Sequence, residues 1–379
     1  MNRNIDYLSS KNHSSKTNSN HRVFGRELKN SNTNIQKNHQ KSNSNKEINK
    51  SSNTFKQKKI NQKKSTLSLS RNYSSNTLLP SISEIDESRT IQSQQKENKI
   101  NSQILKKQKV TINPQLVPEY SDEILSYLLE NELINVPDYS KLFEKQEKIN
   151  ERTRGILIDW ICYVHHKFSL LPETLFLSLN IIDQYTTLVY IDISQYQLVA
   201  IAAMLIASKY EEYYAPEIKD FIVVTKGLFS KEQIIKMEYS ILCKLKFDIL
   251  FTSSYKFLEY FYIICSENEN KKLFHLAQYI LEISQMDVSV MKYKQSMRAG
   301  SALYMARKIL KEEIGIDNDI WNLELKFRTG LSETDLKPCV REMIIFLQIV
   351  LKNKSNSFRD KFNTLEFSRV GTIFTQKTN

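Results

Sequence analysis

Residues 198–217 read LVAIAAMLIASKYEEYYAPE, and the stretch as far as Ser208 decides the fold. Every position there is apolar or small, so a helix built from it has no polar stripe to turn to water. The pattern predicts a helix buried on all sides, whose alanines let its neighbours approach closely. At Lys209 the run breaks into Lys-Tyr-Glu-Glu and soon meets Pro216. That terminal charge is either solvated trim or a working surface.

Working outward, the flanking sequence is helical too. Ile156, Leu157, Trp160, Ile161, Val164 and Phe168 recur as one apolar stripe. Pro172 suits the first turn of the helix that follows. Upstream, Tyr120, Ile124, Tyr127 and Leu128 share helical spacing, with Ser121 placed to cap them. Glycine and proline number only seven each in 379 residues. These residues punctuate β turns and tight loops, so their scarcity favours an all-α body.

The pattern also repeats. LFLSLNIID at 175–183 and FHLAQYILE at 274–282 share apolar positions at an offset of 99, and AAMLIASK (202–209) meets SALYMARK (301–308) at the same offset. Two segments agreeing on one offset indicate two tandem all-α units of ordinary domain size. Ahead of them the chain is rich in Asn, Ser, Lys and Gln, a composition that cannot bury enough surface to order itself. The expected divisions are a disordered basic tail at 1–113, a first unit with its preceding helix at 114–250, a second at 251–352, and an extension at 353–379.

Charge and chemistry narrow the function. Residues 1–110 carry 22 Lys and Arg against seven acids, whereas 111–379 carries 32 against 35. The net +12 thus belongs to the tail, and a nucleic-acid-binding body is not expected. No apolar run approaches the ~20 residues of a membrane span, and the amino terminus has no signal-peptide character. Cys162, Cys243, Cys265 and Cys339 are scattered without metal-ligand spacing, as in a reduced intracellular protein. Cys162 and His166 lie one turn apart, but no further ligand accompanies them. Neither a phosphate-binding glycine loop nor a catalytic constellation appears, so no cofactor, metal or enzymatic activity is expected.

INERTRGILIDWICYVHHKFSLLPETLFLSLNIIDQY resembles the first cyclin box of a mitotic (A/B-type) cyclin. LVAIAAMLIASKYEEYYAPEIKDF and FSKEQIIKMEYSILCKLKFDI continue the resemblance in order. TSSYKFL, LAQYILEISQMD, LSETDLKPCV and SFRDKFNTLEFSRVGTI resemble the carboxy-terminal cyclin fold and its closing segment. The likeness runs from about residue 115 to 372. It implies two tandem five-helix cyclin folds and a regulatory subunit that binds a cyclin-dependent kinase and reorients the kinase's C-helix. Lys209 and Glu238 match the residues that bind kinase backbone in relatives. Ile206, Tyr210, Leu242, Phe247 and Ile249 match the apolar contacts around them, and Tyr120, Ile124 and Tyr127 match those of the amino-terminal helix. A lysine is a mobile triple donor and a glutamate a double acceptor, a pairing suited to exposed backbone. Arg154 and Asp183 match an internal pair joining two helices, a structural role.

Ile156, Leu157, Trp160 and Gln197 match a patch that docks Arg-x-Leu motifs of kinase substrates and inhibitors. Core packing explains the same apolar residues equally well. Thr153 stands where relatives carry methionine, and Tyr163 where they carry an acid or amide for the motif's arginine. In the tail, Lys96, Glu97 and Asn98 resemble a degron read by the anaphase-promoting complex, implying ubiquitin-dependent destruction. The resemblance further implies a place in nucleus and cytoplasm. Two rival readings share the fold: a transcriptional cyclin, and a nucleic-acid-binding repeat like the core of transcription factor IIB. The second would need a zinc ribbon ahead of the repeats, and the tail contains no cysteine.

Overall fold

A computed structural model of the chain describes residues 120–264, 270–316, 319–351 and 356–374. The tail expected at 1–113, with Lys96, Glu97 and Asn98, lies outside them. Every regular element among the described residues is a helix, and none is long and apolar enough to cross a membrane.

Helix α1 (Ser121–Asn131) begins one residue earlier than a Ser121 cap requires, with Tyr120 at the cap position and no side-chain cap bond. Asp122 and Glu123 in its first turn instead favour the positive end of the helix dipole. Helix α2 (Glu151–Lys167) starts at a capping box. Asn150 Oδ1 accepts from the Thr153 N–H at 3.1 Å, and Thr153 Oγ1 accepts from the Asn150 N–H at 2.8 Å. Helix α3 (Pro172–Leu188) carries its proline at the first position. Helix α4 (Tyr196–Glu211) is buried at every residue from Tyr196 to Ser208, as its composition predicts. Helices α5 (Ile218–Val224) and α6 (Lys231–Lys244) complete the first unit.

The second unit repeats the plan with α7 (Ser254–Ile264), α8 (Lys271–Ser284), α9 (Val288–Met291), α10 (Gln295–Ile309), α11 (Leu323–Thr329) and α12 (Glu333–Val350). Helices α3 and α8 start at 172 and 271, and α4 and α10 at 196 and 295. The offset of 99 between the repeats is therefore an offset between folded helices. In each unit the Ala-rich helix is central: α4 packs on α3 and α6, and α10 on α7, α8 and α12. A short α13 (Ser357–Phe362) returns to lie against α2 and α8.

Polar groups bridge the repeats where burial demands partners. Arg154 Nε and Nη2 donate to the two carboxylate oxygens of Asp183 at 2.8 and 2.6 Å, while Nη1 donates to the Gln285 carbonyl at 2.8 Å. Both side chains are almost wholly buried. Glu132, also buried, accepts from the Ser296 N–H at 3.1 Å at the start of α10. The residue that corresponds to Asp183 in the second repeat is Glu282. It is fully buried, and Lys361 Nζ of α13 donates to both its oxygens, at 2.9 and 2.7 Å.

Candidate functional site

Helix α4 emerges from the core within one turn. Ser208 is fully buried, while the Lys209 side chain is half exposed. Helix α6 runs beside that end, begun by a capping box between Ser230 and Gln233. Only Ile234 and Ile241 of α6 are buried, so most of the helix faces outward. Between these helices Lys209 Nζ donates to Glu238 Oε1 at 2.6 Å. Glu238 is 13% exposed against 50% for Lys209, so a seated carboxylate holds a mobile ammonium.

The surroundings are apolar and uncovered. Tyr210, Tyr239 and Phe247 are exposed, as are Ile235 and Leu250; Leu242 and Ile249 are half-buried. Ile206 is buried and supports the surface from below. After α6 the backbone passes through Lys246 and Phe247 at φ of 56° and 60°, a left-handed conformation costly for side chains with a β-carbon. The turn closes through the Phe247 N–H to the Leu242 carbonyl at 2.9 Å. Its effect is to leave Phe247 64% exposed. Strain of this kind persists where the surrounding structure enforces it, often at a binding surface.

Asn135 ties the segment after α1 to this region. Its Nδ2 donates to Asp248 Oδ1 at 2.8 Å and to the Leu250 carbonyl at 2.9 Å. Its carbonyl accepts from Asn180 and Gln184 of α3. On α1, Tyr120 and Tyr127 are exposed and Ile124 half-buried, with Arg328 of α11 holding Asp122 at 2.8 Å. Sequence reasoning missed Asn135, whose side-chain partners are over 110 residues away, and the exposed pair Tyr213 and Tyr214. Those two rings meet edge to face at 4.6 Å. The Tyr-Tyr doublet before Pro216 was the available signal. Burial and the nearby Glu173 carboxylate raise the pKa of Glu211.

The second candidate surface is mixed. Ile156 and Trp160 are half-buried, whereas Leu157 and Gln197 are buried. Thr153 is engaged in the α2 capping box, which accounts for a threonine at that position. Tyr163 is half-buried. Cys162 is buried, and burial pushes its thiol pKa well up, as for a packing residue.

Residues 123–250 match the family model of the cyclin N-terminal domain, and residues 252–376 that of the cyclin C-terminal domain. The chain is 36% identical over 231 residues to the G2/mitotic-specific cyclin-B of Dictyostelium discoideum, covering 61% of this chain and 51% of that one. It is 32% identical to Cyclin-A2-1 of Oryza sativa subsp. japonica, covering 69% and 53%. It is 33% identical to the G2/mitotic-specific cyclin cdc13 of Schizosaccharomyces pombe, covering 68% and 51%. The chain thus spans about half the length of these relatives. Among solved structures it is similar to a viral cyclin from herpesvirus saimiri, with a TM-score of 0.54 at 19% identity over 59% of this chain and 96% of that one.

Proposed function

The chain belongs to the cyclin family, and from that premise we propose that it is a mitotic-type regulatory subunit. It binds and activates a cyclin-dependent Ser/Thr protein kinase at the G2/M transition, and supplies no catalytic group of its own. One observation carries the reading: a hydrogen-bonded Lys209–Glu238 pair at 2.6 Å amid exposed aromatic and aliphatic side chains. Apolar surface with a few placed polar groups is a common interface anatomy. The ammonium spends one of its three donors on Glu238 and offers the others. Because the pair is made before any partner arrives, less ordering cost falls on binding.

The test separates recognition from folding. Lys209→Ala and Glu238→Ala each remove a charge contact that becomes buried in the complex, an expected cost of about 2–5 kcal/mol, or at least ~30-fold in affinity. The double exchange Lys209→Glu with Glu238→Lys keeps an internal pair but reverses donor and acceptor. It should melt like wild type and fail to activate the kinase recovered from the protein's own cells. Wild-type activation by the exchanged protein would overturn the assignment.

The same reading makes Lys96, Glu97 and Asn98 a degron for the anaphase-promoting complex and places the protein in nucleus and cytoplasm. Alanines at the three positions should prolong the protein's life through mitotic exit. Decay on the wild-type schedule would exclude the degron, and a tagged chain found in neither compartment would exclude the location.

A further inference from the structure

Glu212 sits at the wrong end of its own helix. It closes α4, its N–H donating to the Ser208 carbonyl at 3.0 Å, directly after Glu211. Acids at a helix C-terminus oppose the helix dipole. Its carboxylate is engaged elsewhere. Oε1 accepts from the Leu171 N–H at 2.7 Å and from the Thr174 hydroxyl. These groups belong to the first turn of α3, which has no side-chain cap from its own segment. The dipole that disfavours Glu212 on α4 favours it there. The Leu171 carbonyl in turn takes a bond from His165 Nε2 at 2.8 Å, so the last turns of α2 and α4 meet on one residue ahead of α3.

We propose that Glu212 is the positioning residue of the binding surface, a role that rests on the function proposed above. Its carboxylate fastens the last turn of α4, holding Lys209 in reach of Glu238. It also fixes the path on which Tyr213 and Tyr214 leave the helix, 89% and 85% exposed. The turn has no glycine C-cap to terminate it: Glu212 itself is the C-cap, in extended conformation. Without the anchor the turn frays, the binding-competent fraction falls, and apparent affinity falls with it.

The experiment uses the full chain and a recombinant cyclin-dependent kinase from the same organism. Glu212→Ala should weaken binding about two- to thirty-fold, the affinity equivalent of one helix cap. Glu212→Gln keeps the accepting oxygen and should retain most of the affinity. In a Lys209→Ala background Glu212→Ala should cost less than it does in the wild type, because one of the residues it positions is gone. Amide exchange of the free protein should accelerate at 208–214 in Glu212→Ala alone. Wild-type affinity for Glu212→Ala, or losses that add in the double variant, would overturn the proposal. Should the wild-type chain bind no kinase, the functional reading fails by itself. The exchange measurement still decides the anchor, and unchanged protection at 208–214 would overturn it.

Discussion

Lys209, Glu211 and Glu212 end the same helix, and their surroundings give them three different roles. Lys209 reaches Glu238, Glu212 caps a neighbouring helix, and Glu211 is half-buried near Glu173. His165 is the counterpart inside the core. It is buried, and burial, followed by the nearby Lys361 charge, lowers its pKa to about 3. The unfolded chain, with a histidine near ~6.5, binds the proton first. Stability is therefore full above pH ~6.5 and falls as pH drops towards 3, by up to ~1.4 kcal/mol per pH unit. His165→Gln places an amide donor near the position of Nε2, can still donate to the Leu171 carbonyl and does not titrate. It should flatten the stability profile between pH 6.5 and 4, as read by urea melts. An unchanged slope would show that other groups govern acid unfolding.

At the scale of elements, the turn after α6 holds a left-handed backbone beside an exposed aromatic side chain. Lys246 and Phe247 both hold positive φ, and both side chains are exposed. Glycine adopts that region without steric cost. Lys246→Gly should therefore stabilise the protein by roughly 0.5–1 kcal/mol and leave kinase binding intact. Phe247→Gly relieves the same strain but deletes an aromatic contact, so its melting temperature should hold or rise while affinity falls. Thermal melts with parallel binding measurements decide between them. Equal binding by both variants would mean that the strained turn does not serve the interface.

Across the whole molecule, the two repeats solve one problem in two ways. Each places an acid at the corresponding point of its second helix, Asp183 and Glu282, and buries it. Arg154 neutralises the first from within its own repeat, whereas Lys361 neutralises the second from the closing segment. Lys361→Met leaves Glu282 buried and charged without its cation, at an expected cost of about 3–5 kcal/mol. Adding Glu282→Gln removes the orphaned charge and should recover most of that loss in chemical denaturation. If the double variant is as unstable as the single one, packing of Lys361 against Phe362 and Phe367 is its main contribution.

Helix identity and the buried run from Leu198 to Ser208 were legible in the chain because local pattern reports them, and the 99-residue repeat because the same pattern recurs. The structure extends the burial back to Tyr196. The adjacency of Lys209 and Glu238 was legible through resemblance, and so was the Arg154–Asp183 pair. The capping of α3 by Glu212, the grip of Lys361 on Glu282 and the hub at Asn135 were not. Their partners stand 41, 79 and 113 residues away, and nothing in local spacing reports which helix ends will meet. A carboxylate at the end of α4 looks like solvated trim until α3 is packed beside it. Burial then makes every unpaired polar group costly, and the assembled fold selects the partner.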